Sequence, residues 1–326
     1  VKEYKALLEL FSAHLEKHTS GLAQKLPKEL YEPEKYILSL GGKRLRPLLA
    51  LVACDLFDKE PTLALDASLA VELFHNFSLI HDDILDAAPL RRNKETVHVK
   101  WNSNIAILSG DVMLVKAFQV LERYDADTFK NLSALFNQTA IAVCEGQQLD
   151  MNFENLKTVS VNDYLHMITH KTAVLLGCSL KMGAITAGAS SKDQDYLYEF
   201  GKHLGLSFQL LDDLLDAFAK DPEKFGKQAG GDIIANKKTF LLLKAMELAN
   251  DPQRKEIERL MLLTDANKKI KGMLSVYSEL NIQQLCQDEA DKHTRMAIDY
   301  LDKTEAAAGK KENLNYFALE LLNRQI

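Results

Sequence analysis

Disulfide chemistry has little to work with in this chain. Its 4 cysteines, Cys54, Cys144, Cys178 and Cys286, lie far apart and form no CxxC pair. That excludes a stapled secreted fold and a thiolate metal knuckle, and the four read as reduced core residues of a cytoplasmic protein. Proline is scarce as well: there are 7, none between Leu90 and Asp221 and none after Pro252. A sheet protein of this length needs frequent turn signals, so a β-rich architecture is excluded. There is no basic tract, and 40 Lys and Arg stand against 46 Asp and Glu for a net charge of −6, so a nucleic-acid partner is not expected. No run of roughly 18 apolar residues occurs, so a membrane anchor is not expected either. The most apolar stretch, Ala173 to Ala189, is interrupted by Lys181. The opening VKEYKALLEL lacks the charged-then-apolar layout of a leader peptide.

What is present points to helices. Hydrophobic residues make up 47% of the chain and charged residues 26%, enough apolar material for a core. The expected fold class is all-α, with residues 1–326 forming a single all-helical domain. Leu69, Leu73, Phe77 and Ile80 recur at threes and fours, as do Leu204, Phe208, Leu211 and Leu215. Gly41-Gly42 reads as the stop of one helix, and Pro47 sits in the first turn of the next, where a missing N–H costs nothing. Asp66 to Asp86 reads as one helix ended by Pro89. Leu204 to Ala219 reads as another, ended by Asp221-Pro222 and followed by a glycine-rich loop, Gly226 to Gly231.

Two acidic clusters stand out. Asp82, Asp83 and Asp86 form DDILD, and Asp212, Asp213 and Asp216 form DDLLD, each at the C-terminal end of an apolar helix. Residues i and i+4 share a helix face, so Asp82 and Asp86 point the same way, as do Asp212 and Asp216. Like charges one turn apart repel, and the negative end of the helix dipole adds to the cost. A cation offsets both, and oxygen-only ligation favours a hard ion such as Mg²⁺. A solvated helix end is the simpler reading of one such cluster; two, each in an otherwise apolar helix, resist it. Basic residues follow at phosphate-binding positions: Lys43 and Arg46 after the glycine pair, Arg91 and Arg92 after the first cluster, Lys227 and Lys237 after the second. His166 and His170 have half of a zinc site's spacing but no acidic or cysteine companion in HMITH, so a helix-surface pair is the simpler reading. Glu145-Gly146-Gln147 and Gly110-Asp111 read as close helix packing.

These motifs resemble the trans-type isoprenyl diphosphate synthases, the polyprenyl synthetase family. The likeness runs from about Leu38 to Lys238. It rests on GGKRLRP at Gly41 to Pro47, HDDILDAAPLRR at His81 to Arg92, HKTA at His170 to Ala173, FQLLDDLLD at Phe208 to Asp216, FGKQAGGD at Phe225 to Asp232 and NKKT at Asn236 to Thr239. The resemblance implies a bundle of mostly antiparallel helices around a deep central cavity, usually in a homodimer, with the aspartate clusters facing each other across its mouth. By motif matching it implies Mg²⁺ on Asp82, Asp86 and Asp212, supported by Asp83, Asp213 and Asp216. Arg91, Lys171, Lys227 and Lys237 would hold an allylic diphosphate (dimethylallyl, geranyl or farnesyl). Lys43, Arg46, His75 and Arg92 would hold isopentenyl diphosphate. Thr172 and Gln209 would lie beside the reacting carbons.

The activity implied is condensation of isopentenyl diphosphate with the allylic diphosphate by Mg²⁺-assisted ionisation, giving a short all-trans prenyl diphosphate. Two rivals are weighed against it. A class I terpene cyclase normally lacks both a second full aspartate cluster and an isopentenyl diphosphate pocket. A non-catalytic partner subunit typically has damaged aspartate motifs. Phe77 and Ser78 lie one turn before Asp82, where a growing tail would pass. DDILD has no insertion, and one aromatic at this pair of positions follows the geranylgeranyl pattern of the family. The expected product is therefore C20, with C15 as runner-up.

Overall fold

The computed structural model describes residues 4–218 and 230–322. Lys227, the expected helix end at Ala219 with its Asp221-Pro222 stop, and most of the glycine-rich loop lie outside the described residues. The elements are α1 (Lys5–Ser20), α2 (Lys28–Ser39), α3 (Leu45–Leu56), α4 (Leu65–Leu85), β1 (Leu90–Arg91), β2 (Lys94–Glu95), α5 (Val97–Lys100), α6 (Ser103–Gln119), α7 (Ala126–Asn155), α8 (Val161–Ile168), a π-helical turn (Thr169–Ala173), α9 (Val174–Thr186), α10 (Ser191–Phe218), α11 (Gly231–Ile234), α12 (Phe240–Leu248), α13 (Asp251–Met261), α14 (Ala266–Glu279), α15 (Ile282–Asp302) and α16 (Ala308–Leu322). The fold is all-α, as expected. Short 3-10 turns occur at Pro61–Ala64 and Val120–Arg123. Two compact units arise, one of Val1–Gln138, Cys178–Tyr198 and Thr304–Glu312, the other of Thr139–Gly177, Glu199–Lys303 and Asn313–Ile326.

In the first unit, α4 packs on α1, α3, α5 and α6. It is buried almost all round, from Ala67 through Leu69, Leu73, Phe74 and Phe77 to Ile80 and Asp83. A helix buried on every side is hydrophobic throughout, and its few polar residues must find partners. Glu72, 2% exposed, accepts from Arg44 and, at 2.8 Å, from Asn76 Nδ2. The stop and start around the glycine pair are as expected: Gly41 and Gly42 take φ of 77° and 129°, and Pro47 sits in the first turn of α3. After α4 the chain forms a hairpin that proline counting did not foresee. Leu90 faces Glu95, and Arg91 faces Lys94. Its two-residue turn holds Arg92 at φ 53° and Asn93 at 60°, the mirror-image turn that matches strand twist.

In the second unit, α12 packs on α8, α14 and α15, and α14 also packs on α11 and α13. Capping boxes set two of the helix starts, Ser160 with Asp163 for α8 and Asn250 with Gln253 for α13. Helix α10 begins 13 residues before the expected Leu204. The overlooked signal is Ser190, whose Oγ receives the Asp193 N–H at 3.1 Å and donates to Asp193 Oδ2 at 2.7 Å. Cys54, Cys178 and Cys286 are buried, whereas Cys144 is exposed, a correction to its reading as a core residue. Two helical stretches, Pro61–Leu85 and Ser103–Arg123, are long and apolar enough to cross a bilayer by length and composition alone. In the first, which contains α4, 67% of the apolar window is buried inside the protein.

His203 on α10 and His293 on α15 meet with their Nδ1 atoms 2.9 Å apart, and the Tyr300 ring lies against His203 at 5.7 Å. Burial first, then His293 and Lys202, push His203 down from 6.5 to about 4, with Glu199 opposing and Lys292 reinforcing. The folded ring therefore stays neutral where the unfolded ring takes a proton. Its contribution to stability is present above pH 6.5 and is lost as pH falls through about 4. In calorimetry between those limits, the thermal midpoint of the wild type should fall more steeply than that of His203→Gln.

Candidate active site

The same arrangement recurs at the ends of α4 and α10. In the first cluster Asp82 is half-buried, Asp86 is exposed, and Asp83 between them is buried at 1% exposure. Arg91, delivered by the hairpin, forks onto Asp83 with Nε 3.0 and 2.9 Å from the two oxygens and Nη2 2.7 Å from Oδ1. In the second cluster Asp212 and Asp216 are half-buried and Asp213 is 3% exposed. Asp213 accepts from the Tyr164 hydroxyl and, at 3.1 Å, from Gln209 Nε2. Burial pushes its carboxyl up to about 7, against the two hydrogen bonds and helped by Asp232. Asp216 Oδ2 accepts the Asp232 N–H at 2.9 Å and so holds the start of α11.

Each cluster thus ties its middle aspartate inward and carries its outer pair one turn apart. Among the described residues, no three His, Cys, Asp or Glu side chains converge into a complete metal site. Mg²⁺ does not require one, because it keeps several waters and takes only one or two protein carboxylates beside phosphate oxygens. The oxygen-only pairs at the two negative helix ends fit such a partial set.

Lys171 and Thr172 lie on the π-helical turn that joins α8 to α9. Single π turns concentrate at functional sites, where they break helix register to aim side chains. Two glycines make room for this one. A Cβ on Gly146 would stand 2.2 Å from the Lys171 backbone nitrogen, and one on Gly205 would stand 2.7 Å from Ala173 Cα. Gly146 was expected to permit close packing, and its neighbour is this turn. Lys171 Nζ pairs with Asp150 Oδ2, and Thr172 Oγ1 donates to Gln209 Oε1 at 3.4 Å. No motif pointed to Tyr164 or Asp150; the one available signal for Asp150 was its place one turn after Gly146 on α7. Lys237 stands 3.9 Å from Asp232, while its neighbour Lys238 donates to the carbonyls of Phe153, in the last turn of α7, and Leu156, just past its end.

The remaining basic residues gather around His75 in the first unit. Arg46 Nη1 lies 3.2 Å from His75 Nε2, and Arg92 reaches the Gly41 carbonyl. Gly42 is required twice, for its φ and because a Cβ there would stand 2.8 Å from the Arg92 guanidinium. Burial holds His75 well below its ordinary range, with Arg46, Arg92, Arg91 and Arg44 adding to it. Burial also lowers Arg46 to about 10, and its buried Nε has no partner among the described residues. Arg44, by contrast, is spent on Glu72 and the Leu38 carbonyl. A cluster of arginines with an unanswered donor is a seat for an anion. Lys43 is exposed beside it.

One turn below Asp82, Phe77 is 8% exposed and packs on Phe74 at 5.6 Å and His81 at 4.7 Å. Phe74 meets Phe136 edge to face in turn, and Phe136 meets Phe118 in the same way. Ser78 is half-buried, its hydroxyl bonded back to the His75 carbonyl at 2.9 Å.

A polyprenyl synthetase family model matches residues 27–280. The chain belongs to the polyprenyl synthetase family. It is 35% identical over 286 residues to the short chain isoprenyl diphosphate synthase of Methanothermobacter thermautotrophicus, covering 87% of each chain. It is 36% identical over 303 residues to the geranylgeranyl diphosphate synthase of Saccharolobus solfataricus, covering 91% of each. A solved geranylgeranyl pyrophosphate synthase matches it with a TM-score of 0.92 at 44% identity, over 98% of this chain and 99% of that one. The π-helical turn that carries Lys171 and Thr172 leaves no room for a side chain at residue 146. Gly146→Ala should keep helical content by circular dichroism but lower prenyl-transfer turnover by about a hundredfold, the cost of displacing a reacting group by roughly 1 Å.

Proposed function

We propose that this polyprenyl synthetase adds isopentenyl diphosphate to an allylic diphosphate with Mg²⁺ and releases a C20 product. One observation carries the reading: each aspartate cluster ends an apolar helix with its middle member tied inward and an outer pair one turn apart. The family is generally metal-dependent, and Asp82, Asp86 and Asp212 are the residues proposed to hold Mg²⁺. When bound, it would neutralise charge on the diphosphate.

The protein's own residues account for the rest. Arg46, with an unanswered buried donor, and its neighbours Lys43, His75 and Arg92 are proposed to seat isopentenyl diphosphate. Arg91, Lys171, Lys227 and Lys237 are proposed to seat the allylic diphosphate. The allylic C–O bond breaks with its electron pair leaving on the diphosphate, and donors aimed at those oxygens stabilise the charge as it develops. The Thr172 hydroxyl and the Gln209 amide oxygen face the allylic cation. The π pair of the isopentenyl C=C forms the new C–C bond. A proton then passes to the released diphosphate and the double bond is restored. Apolar helix walls keep water from quenching the cation.

A homodimer and a cytoplasmic site of action complete the proposal. Exposed Ile107, Leu108 and Val115 along α6 support the first, and the free cysteines support the second. C20 is supported by DDILD without insertion, by Phe77 set in a cluster of aromatic rings, and by relatives named geranylgeranyl diphosphate synthases.

Asp82→Ala and Asp212→Ala should each fold yet lose about 10²–10³ in condensation rate, measured with labelled isopentenyl diphosphate, an allylic primer and saturating Mg²⁺. Wild-type turnover in both would refute the metal assignment. Phe77→Ala should lengthen the product and Ser78→Phe should shorten it, read by chromatography of the dephosphorylated prenols. Unchanged length in both variants would remove these residues as the floor.

A further inference from the structure

Four side chains of the second unit form one unbroken line of hydrogen bonds. Tyr164, 2% exposed on α8, donates its hydroxyl to Asp213 Oδ2. Asp213 Oδ1 accepts from Gln209 Nε2 at 3.1 Å, and Gln209 Oε1 accepts from Thr172 Oγ1 at 3.4 Å. The two inner members, Tyr164 and Asp213, stand behind the two proposed to face the cation.

The polarity of the line follows from its middle. In its ionised form Asp213 accepts hydrogen bonds and donates none. In that form it receives the NH₂ edge of Gln209 at 3.1 Å, and the amide oxygen edge is turned toward Thr172. The two ends of an amide have nearly the same shape, so packing alone does not choose between them. The wrong choice would set N–H dipoles against a developing carbocation. Asp213 makes the choice, and the Tyr164 hydroxyl fixes Asp213 by occupying its other oxygen.

We propose that Tyr164, acting through Asp213, is a positioning residue for prenyl transfer that locks the Gln209 amide with its oxygen toward the reacting carbons. The inference rests on the prenyltransferase reading given above. It assigns the middle aspartate of the second cluster to orienting a neighbour rather than to holding metal. A buried tyrosine satisfied by the nearest acceptor would show the same first contact, so the test must read the far end of the line.

Three variants do so: Tyr164→Phe, which removes only the hydroxyl; Asp213→Asn; and Asp213→Asn combined with Gln209→Glu. Each is assayed for condensation kcat, for KM of both diphosphates with Mg²⁺ present, and for helical content. Tyr164→Phe should lose roughly tenfold in kcat, the scale of a hydrogen bond to a charged group, with both KM values within about twofold of wild type. Asp213→Asn offers an NH₂ that the Gln209 oxygen would turn to meet, so its kcat should fall further. Adding Gln209→Glu gives oxygen at both ends of residue 209, one to accept from the new amide at position 213 and one for Thr172. The double variant should exceed Asp213→Asn in kcat by about tenfold.

Wild-type kcat in Tyr164→Phe, or a double variant no faster than Asp213→Asn, overturns the proposal. Should Tyr164→Phe fail to fold, the comparison between the double variant and Asp213→Asn decides alone. A wild type that condenses nothing overturns the prenyltransferase reading and this inference with it. An active wild type whose variants do not respond as described overturns this inference only.

Discussion

A carboxylate buried in an apolar helix has to be answered by a donor, because leaving it unpaired costs several kcal/mol. Asp83 and Asp213 impose that condition, and much of the local architecture meets it. The hairpin after α4 exists where Arg91 can fork onto Asp83. Helix α8 brings the Tyr164 hydroxyl to Asp213, and Gln209 turns its amide to complete the shell. The outer aspartates, one turn apart, are then presented by helix ends that cannot drift. The buried, anchored aspartate and its less buried companions are neighbours in sequence and differ in surroundings.

The same division runs through the basic residues. Arg44 and Arg46 are two positions apart in GGKRLRP, yet Arg44 neutralises buried Glu72 while Arg46 keeps an unanswered donor. Lysines divide likewise: Lys238 closes the end of α7 through its carbonyls, whereas Lys237 beside it stands at the surface near Asp232. In each pair one charge is used to assemble the fold, and the other stands in a different setting. Burial, reinforced by the arginines around it, lowers His75 well below its ordinary range, so it enters as a hydrogen-bond partner of Arg46 rather than as another charge.

Helix class, the glycine stop before α3, and the span of α4 were legible because each rests on local chemistry: apolar spacing, positive φ at glycine, proline in a first turn. The aspartate clusters were legible because their spacing is itself the chemistry. What was not legible depends on partners distant in sequence. Tyr164 meets Asp213 across 49 residues and Lys171 meets Asp150 across 21, and neither pair has a local signature. The early start of α10 was missed for a different reason. Its Ser190 and Asp193 cap was in plain view, but the apolar periodicity that drew attention begins at Leu204.

The π-helical turn at Thr169–Ala173 also acts as a phase shifter. Successive residues of an α-helix advance by about 100° around its axis, so one extra residue in a turn rotates everything after it by roughly that angle. Helix α8 buries one face, through Tyr164, Met167 and Ile168, whereas α9 is buried on every side from Val174 through Leu180. Lys171 and Thr172 occupy the seam between these two helices. Shortening the turn by one residue would rotate the residues after it by about that angle and carry both side chains away from Asp150 and Gln209. The length of this segment is thus as much a part of the site as the identity of its side chains.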